Sequence, residues 1–146
     1  MGYSISSIVA TYIIDTLSLM TSPSDTDDWP LYISSMPDGD AVETNCGAAY
    51  DMAGKLDGKL SSGEVVQHPG FSLTIRSDDY ETGYSKIEEI ALALDDMDKV
   101  SVNMDGTTYQ IQNMSRHTTI SPLDTQKGTK RRFLFVVSFL VTVKEL

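Results

Sequence analysis

The side chains of this chain with chemical potential are two histidines, one cysteine, an acidic triplet and two sets of arginines and lysines. His68 and His117 have no Cys, His or carboxylate at metal-ligand spacing, so neither begins a metal site. Cys46 with one of them would make a nucleophile and base, but no local motif joins them, and a small, partly buried thiol is the simpler reading. Asp95, Asp96 and Asp98 would collect a divalent cation only if a loop gathered them. They lack calcium-loop spacing and read as a solvated helix end. The glycines from Gly47 to Gly63 never form a phosphate-binding loop followed by Lys-Ser or Lys-Thr. Arg76 stands between a strand and a helix, where it suits an ion pair with Asp78, Asp79 or a neighbouring chain better than a substrate clamp. Lys127, Lys130, Arg131 and Arg132 form the one basic cluster. No aromatics interleave with it, so it does not stack on bases; non-specific phosphate contact stays open, and salt bridges to an acidic neighbour fit the charge distribution best. No enzyme and no cofactor is expected.

The elements that position these residues follow from periodicity. Phe71, Leu73 and Ile75 alternate with Ser72, Thr74 and Arg76, a strand with one covered face. Tyr80, Tyr84, Ile87, Ala91 and Leu94, with Ile90, then recur at helical spacing. Asp78 is the expected cap, with Glu81 reaching back, and Pro69-Gly70 is the expected turn before the strand. Gly83 weakens this helix by about 1 kcal/mol relative to Ala unless close packing requires it. At the N-terminus, Ile5, Ile8, Val9, Tyr12, Ile13, Leu17 and Met20 predict an amphipathic helix capped by Ser4 or Ser6.

A polar stretch after Thr21 reads as an exposed connection, and Leu31 to Ile33 as a short strand entered through Trp29-Pro30 and closed by Pro37-Asp38-Gly39. A second short strand is possible over Ala41 to Cys46. Gly47 to His68 has few large apolar residues and reads as a long loop or, at most, a weak hairpin. Val100, Val102 and Met104 precede Asp105-Gly106, and Tyr109 and Ile111 follow it, so a type I′ turn closes a hairpin. Its register sets Met104 against Thr107, Val102 against Tyr109 and Val100 against Ile111. Thr118 to Lys130 is a polar connection. The last strand, Arg132 to Val143, is apolar on both sides and must be central in its sheet or covered by a neighbouring subunit. The sum is a single α+β domain over residues 1–146: two helices on a mostly antiparallel sheet, with long loops.

Composition bounds the function. The formal net charge of −10 over 146 residues disfavours wholesale binding to nucleic acid or anionic membrane. No Lys or Arg precedes Lys55, whereas the basic cluster lies near the end, so the chain has an acidic and a basic pole. A single cysteine makes reducing cytoplasm the default compartment. The run from Phe133 to Val143 is about half the length of a spanning helix, so no membrane is expected.

The whole pattern resembles the tail terminator proteins of long-tailed bacteriophages, also described as tail completion or minor capsid proteins. The matching stretch is Pro69-Gly70-Phe71-Ser72-Leu73-Thr74-Ile75-Arg76 followed by Tyr80 to Leu94, with the order of elements covering most of the chain. The resemblance implies a structural virion protein assembled in the host cytoplasm. Six copies would form a ring on the tail tube, stop its growth and face the head-side connector or stopper. DNA would pass through the lumen without specific binding. Arg76, Lys127, Lys130, Arg131 and Arg132 are the expected intersubunit or partner contacts. Other expectations are a stopper or tail tube subunit, or a small dimeric ligand-binding or regulatory domain.

Overall fold

The computed structural model describes residues 3–23, 29–36, 45–59, 65–126 and 132–146. The fold is α+β, two helices on a mostly antiparallel sheet, as the sequence predicts. Helix α1 spans Ile5–Thr11, and its Ser4 cap accepts from the Ser7 amide. A π-helical turn, Tyr12–Thr16, continues it, with the Leu17 N–H reaching back five residues to the Tyr12 carbonyl at 3.1 Å. The helix is thus shorter than the apolar spacing implies. Ser18 takes a φ of 55°, and Leu17 and Met20 pack on the core from an irregular segment.

The strands are β1 (Leu31–Ile33), β2 (Cys46–Lys59), β3 (Val65–Ser77), β4 (Val100–Met104), β5 (Thr107–Arg116), β6 (Ser121–Gln126) and β7 (Arg132–Glu145); α2, Tyr80–Asp95, joins β3 to β4. They form a seven-stranded sheet in the order β1-β2-β3-β7-β5-β4, with β6 also paired to β7. Only β1 and β2 run parallel. The two-faced β7 is central: β3 lies along one edge, while β5 and β6 share the other.

Three expectations are corrected. The stretch read as a loop from Gly47 to His68 is instead most of a long β2–β3 hairpin, its residues 60–64 lying outside the described ones. Small residues hid the strand because the chain above it comes close. A β-carbon on Gly47 would stand 2.7 Å from Met20 Cε and 2.8 Å from Ile75 Cδ1. Pro69-Gly70 is no turn but lies inside β3. Proline is tolerated there because the β2 register shifts between Met52 and Lys55, and the pairing with β7 stops at Gly70. Part of the Thr118 to Lys130 connection is β6, polar because it is a short edge strand. The turn at Pro37-Asp38-Gly39 and residues 41–44 of the possible strand over Ala41 to Cys46 fall outside the described residues, and Cys46 itself opens β2.

One face of the sheet carries the core. Phe71, Leu73 and Ile75 of β3 pair with Phe139, Val137 and Phe135 of β7, and all six are buried against both helices. Gly83 lets α2 approach this layer. A β-carbon there would lie 2.8 Å from the Phe135 ring and 3.0 Å from Ser77 Cβ. Tyr80 and Tyr84 flank the same ring edge-on, with centroids 5.0 and 6.0 Å away. The cap of α2 is Asp79, one residue later than expected. Its carboxylate accepts from the Thr82 amide at 3.0 Å and the Thr82 hydroxyl at 2.6 Å, while its own amide donates to Ser77 Oγ at 3.2 Å, so Ser77 takes the reciprocal place assigned to Glu81. The β4–β5 hairpin has the predicted register throughout, with φ of 50° at Asp105 and 90° at Gly106.

Two predictions follow from these contacts. Gly83→Ala gains about 1 kcal/mol of helix propensity but overpacks against Phe135, which costs about 1–3 kcal/mol. A lower urea midpoint with an unchanged slope is expected; a raised midpoint would mean that α2 shifts without cost. The hydroxyl and amide of Thr82 hold the Asp79 carboxyl below its usual value of 3.8. A depressed folded-state pKa contributes stability that is present above the unfolded value and is lost as pH falls through the folded one. The stability difference between wild type and Asp79→Ala should therefore be constant at neutral pH and shrink below about pH 4. Asp79→Ser should retain the cap without that pH dependence, as urea titrations at several pH values would read.

Candidate assembly surface

Arg76 ends the alternating run of β3 on the sheet face away from the helices, opposite Leu134 of β7 and Cys46 of β2. Its side chain is 0% exposed, although sequence alone suggested a partner-facing guanidinium. Arg132 opens β7 opposite Gln126 and is 4% exposed. Lys127, Lys130 and Arg131 lie outside the described residues. The described residues on either side, Gln126 of β6 and Arg132 of β7, are paired with each other. Phe133, the next residue after Arg132, pairs with Ser77 and meets the Tyr80 ring edge-on at 5.6 Å. The start of β7 therefore lies beside the entry to α2.

The other residues weighed for chemistry are not drawn together. Cys46 is buried in the sheet. His117 is exposed, and its backbone N–H donates to the Ser138 carbonyl at 2.8 Å. Asp95 is paired with Arg116, Nη2 to Oδ2 at 2.5 Å, which ties the end of α2 to β5. Among the described residues, no group of three or more His, Cys, Asp or Glu side chains could hold a metal ion.

What the surface does present is backbone and charge. The outer side of α2 and its flanks exposes Asp78, Asp79, Glu81, Glu88, Glu89, Asp95, Asp96 and Asp98. Beside them lies a shallow cleft of about 400 Å³, lined by Trp29, Thr82, Ser85 and Lys86, with the Lys86 ammonium 5.5 Å from the Trp29 ring centroid and 3.6 Å from Glu89. Tyr80 and Tyr84 keep 41% and 36% of their surface in solvent, although their rings brace Phe135. Helical spacing placed both tyrosines on the core stripe; they stand at its margin.

Sequence reasoning missed Asp51. Its carboxylate accepts from the Ser6 amide at 2.9 Å and the Ser6 hydroxyl at 3.0 Å, which fixes the N-terminus of α1 to β2. Ser6, offered as a cap, is the donor to this anchor. No local signal links residues 45 positions apart.

The described surface thus offers charge and strand edges on an α+β fold, with no gathered catalytic or metal-binding cluster among the described residues. The family model for bacteriophage tail terminator protein matches residues 13–145, and the chain belongs to that family. Membership implies a place in the phage tail, contact with other tail components and a structural role. It is the family whose resemblance was read from the stretch Pro69 to Leu94. No curated protein matches. Seven chains of solved structures do; one is 16% identical, with 97% of each chain covered and a TM-score of 0.43, a likeness that carries no argument. Among the described residues, no helix is long and apolar enough to cross a membrane.

Proposed function

We propose that six copies of this single-domain protein form a ring on the last ring of the tail tube, end its growth, and offer their opposite surface to the head-side connector or stopper. The family match over residues 13–145 carries the reading. A ring needs one surface of each copy to meet a different surface of the next. The acidic side of α2 and the basic link at Lys127, Lys130 and Arg131 supply opposite charges for such a contact, with Arg132 holding the link to the sheet from its buried position. The net charge of −10 suits a channel for DNA, because a negative wall does not retain phosphates.

Light scattering over a concentration series, with negative-stain imaging of the largest species, tests the ring. Closed six-membered rings that do not extend into tubes are expected, alone or on added tail tubes. Long cylinders would point to a tube subunit, and a stable dimer would sink the reading. Lys130→Glu with Arg131→Glu should weaken ring assembly at least tenfold and leave the fold intact by circular dichroism, since the buried Arg132 is untouched. Unchanged assembly would remove the charge argument while leaving the ring.

A further inference from the structure

Among the described residues the sheet ends in two open edges, β1 and β4. On β1, the Gly47 amide donates to the Pro30 carbonyl and the Ser34 amide to the Ala49 carbonyl, so Pro30, Tyr32 and Ser34 turn their polar groups toward β2. Leu31 and Ile33 point theirs outward. The Leu31 amide is taken by the Thr21 carbonyl, and the chain then leaves the edge through Ser22 and Pro23. The Leu31 carbonyl and both backbone groups of Ile33 have no hydrogen-bond partner among the described residues. A groove of about 460 Å³ runs beside them, lined by Thr11, Ile14, Asp15 and Ser35, and Ile33 is 45% exposed over it.

On β4 the pattern is equally definite. The Leu146 amide donates to the Thr108 carbonyl, so Thr108 faces β7, and Asn103 opposite it must face away from β5. Ser101, two residues earlier, does the same. No proline or bulge blocks this edge, and a lysine, Lys99, stands only at its start.

The two edges match in direction and in face. Following the pairings across the sheet, β1, β2, β7 and β4 run one way, and β3 and β5 the other. Ile33 shares the helix-bearing face with Leu31, which pairs with Gly47 opposite Ile75; Val102 shares it through Tyr109. We infer that a second copy of this chain lays its β4 edge parallel along the β1 edge of the first, with Val102 opposite Ile33. The Ser101 amide then donates to the Leu31 carbonyl, the Ile33 amide to the Ser101 carbonyl, and the Asn103 amide to the Ile33 carbonyl. All three outward groups of β1 are satisfied, and both helix layers stay on the same side. An antiparallel approach would instead place Ile33 opposite Ser101, and the helices of successive copies would fall on opposite faces, which no rotational ring permits. The inference rests on the ring reading and adds a backbone contact to the charge contact proposed for it. Three hydrogen bonds are few, so the contact is weak between two copies and gains from closure of the ring.

Ser101→Pro removes the outward amide and no internal hydrogen bond. Rings are expected to vanish into monomers with unchanged circular dichroism and urea midpoint, whereas Ser101→Ala, which keeps the amide, retains them. Tyr32 and Ser101 would face each other across the joint, so a Tyr32→Cys and Ser101→Cys double variant, oxidised after assembly, should give a covalent ladder on a non-reducing gel. Neither single variant should, because Cys46 is buried. The ladder also decides the matter should Ser101→Pro fail to fold. Intact rings from folded Ser101→Pro, or assembled rings without a ladder, overturn the edge contact and leave the ring standing. A wild-type chain that forms no closed ring, alone or on tail tubes, overturns both.

Discussion

The Phe135 ring occupies the space that a side chain at position 83 would need, and much of the structure depends on that close approach. It lets α2 lie flat on the central pair of strands, so that Ile87, Ile90, Ala91 and Leu94 reach the layer formed by β3 and β7. Tyr80 and Tyr84 then close around the ring from either side and seal the end of the core where β7 begins. The same device recurs under the N-terminal segment. Gly47 yields its volume to Met20 and Ile75, and the adjacent Ala49 is fully buried. In both places a glycine that local propensity penalises is retained because packing density is worth more there than backbone entropy.

That trade explains what could be read from the chain in advance. α2 and the β4–β5 hairpin were legible because burial alternates or recurs with the period of the element itself, and the Asp-Gly turn fixes the register locally. β2 was not legible. Its core-facing positions are Gly47, Ala49 and Asp51, a set that carries no strand signal until Met20, Ser6 and the β3 partners are in place. β6 lacked a signal because an edge strand needs no apolar side. The basic residues were visible by type, but burial of Arg76 and Arg132 is decided by the curl of the sheet and its long-range pairings. The edge of β1 depends on a parallel pairing that leaves no local trace, whereas the outward residues of β4 follow from its hairpin.

The helices are tied to the sheet at two places, by Asp51 on Ser6 and by Arg116 on Asp95. Selectivity is a matter of which backbone groups and charges remain outside. Hydrogen bonds along a strand edge fix direction and register, while charges on α2 and near the start of β7 act over longer range and are weakened by salt.

The position of β7 in the sheet also governs when the molecule can exist. Every strand that β7 contacts precedes it in the chain, and β3 meets it across some sixty residues. While a copy is still being synthesised, β3 can pair with β2 but lacks its other neighbour, and β5 has only its hairpin partner. The edges of β3 and β5 that face each other stay unpaired until β7 lies between them. The sheet thus depends on long-range pairings through β7, which are costly to form because the intervening chain must first be closed into a loop.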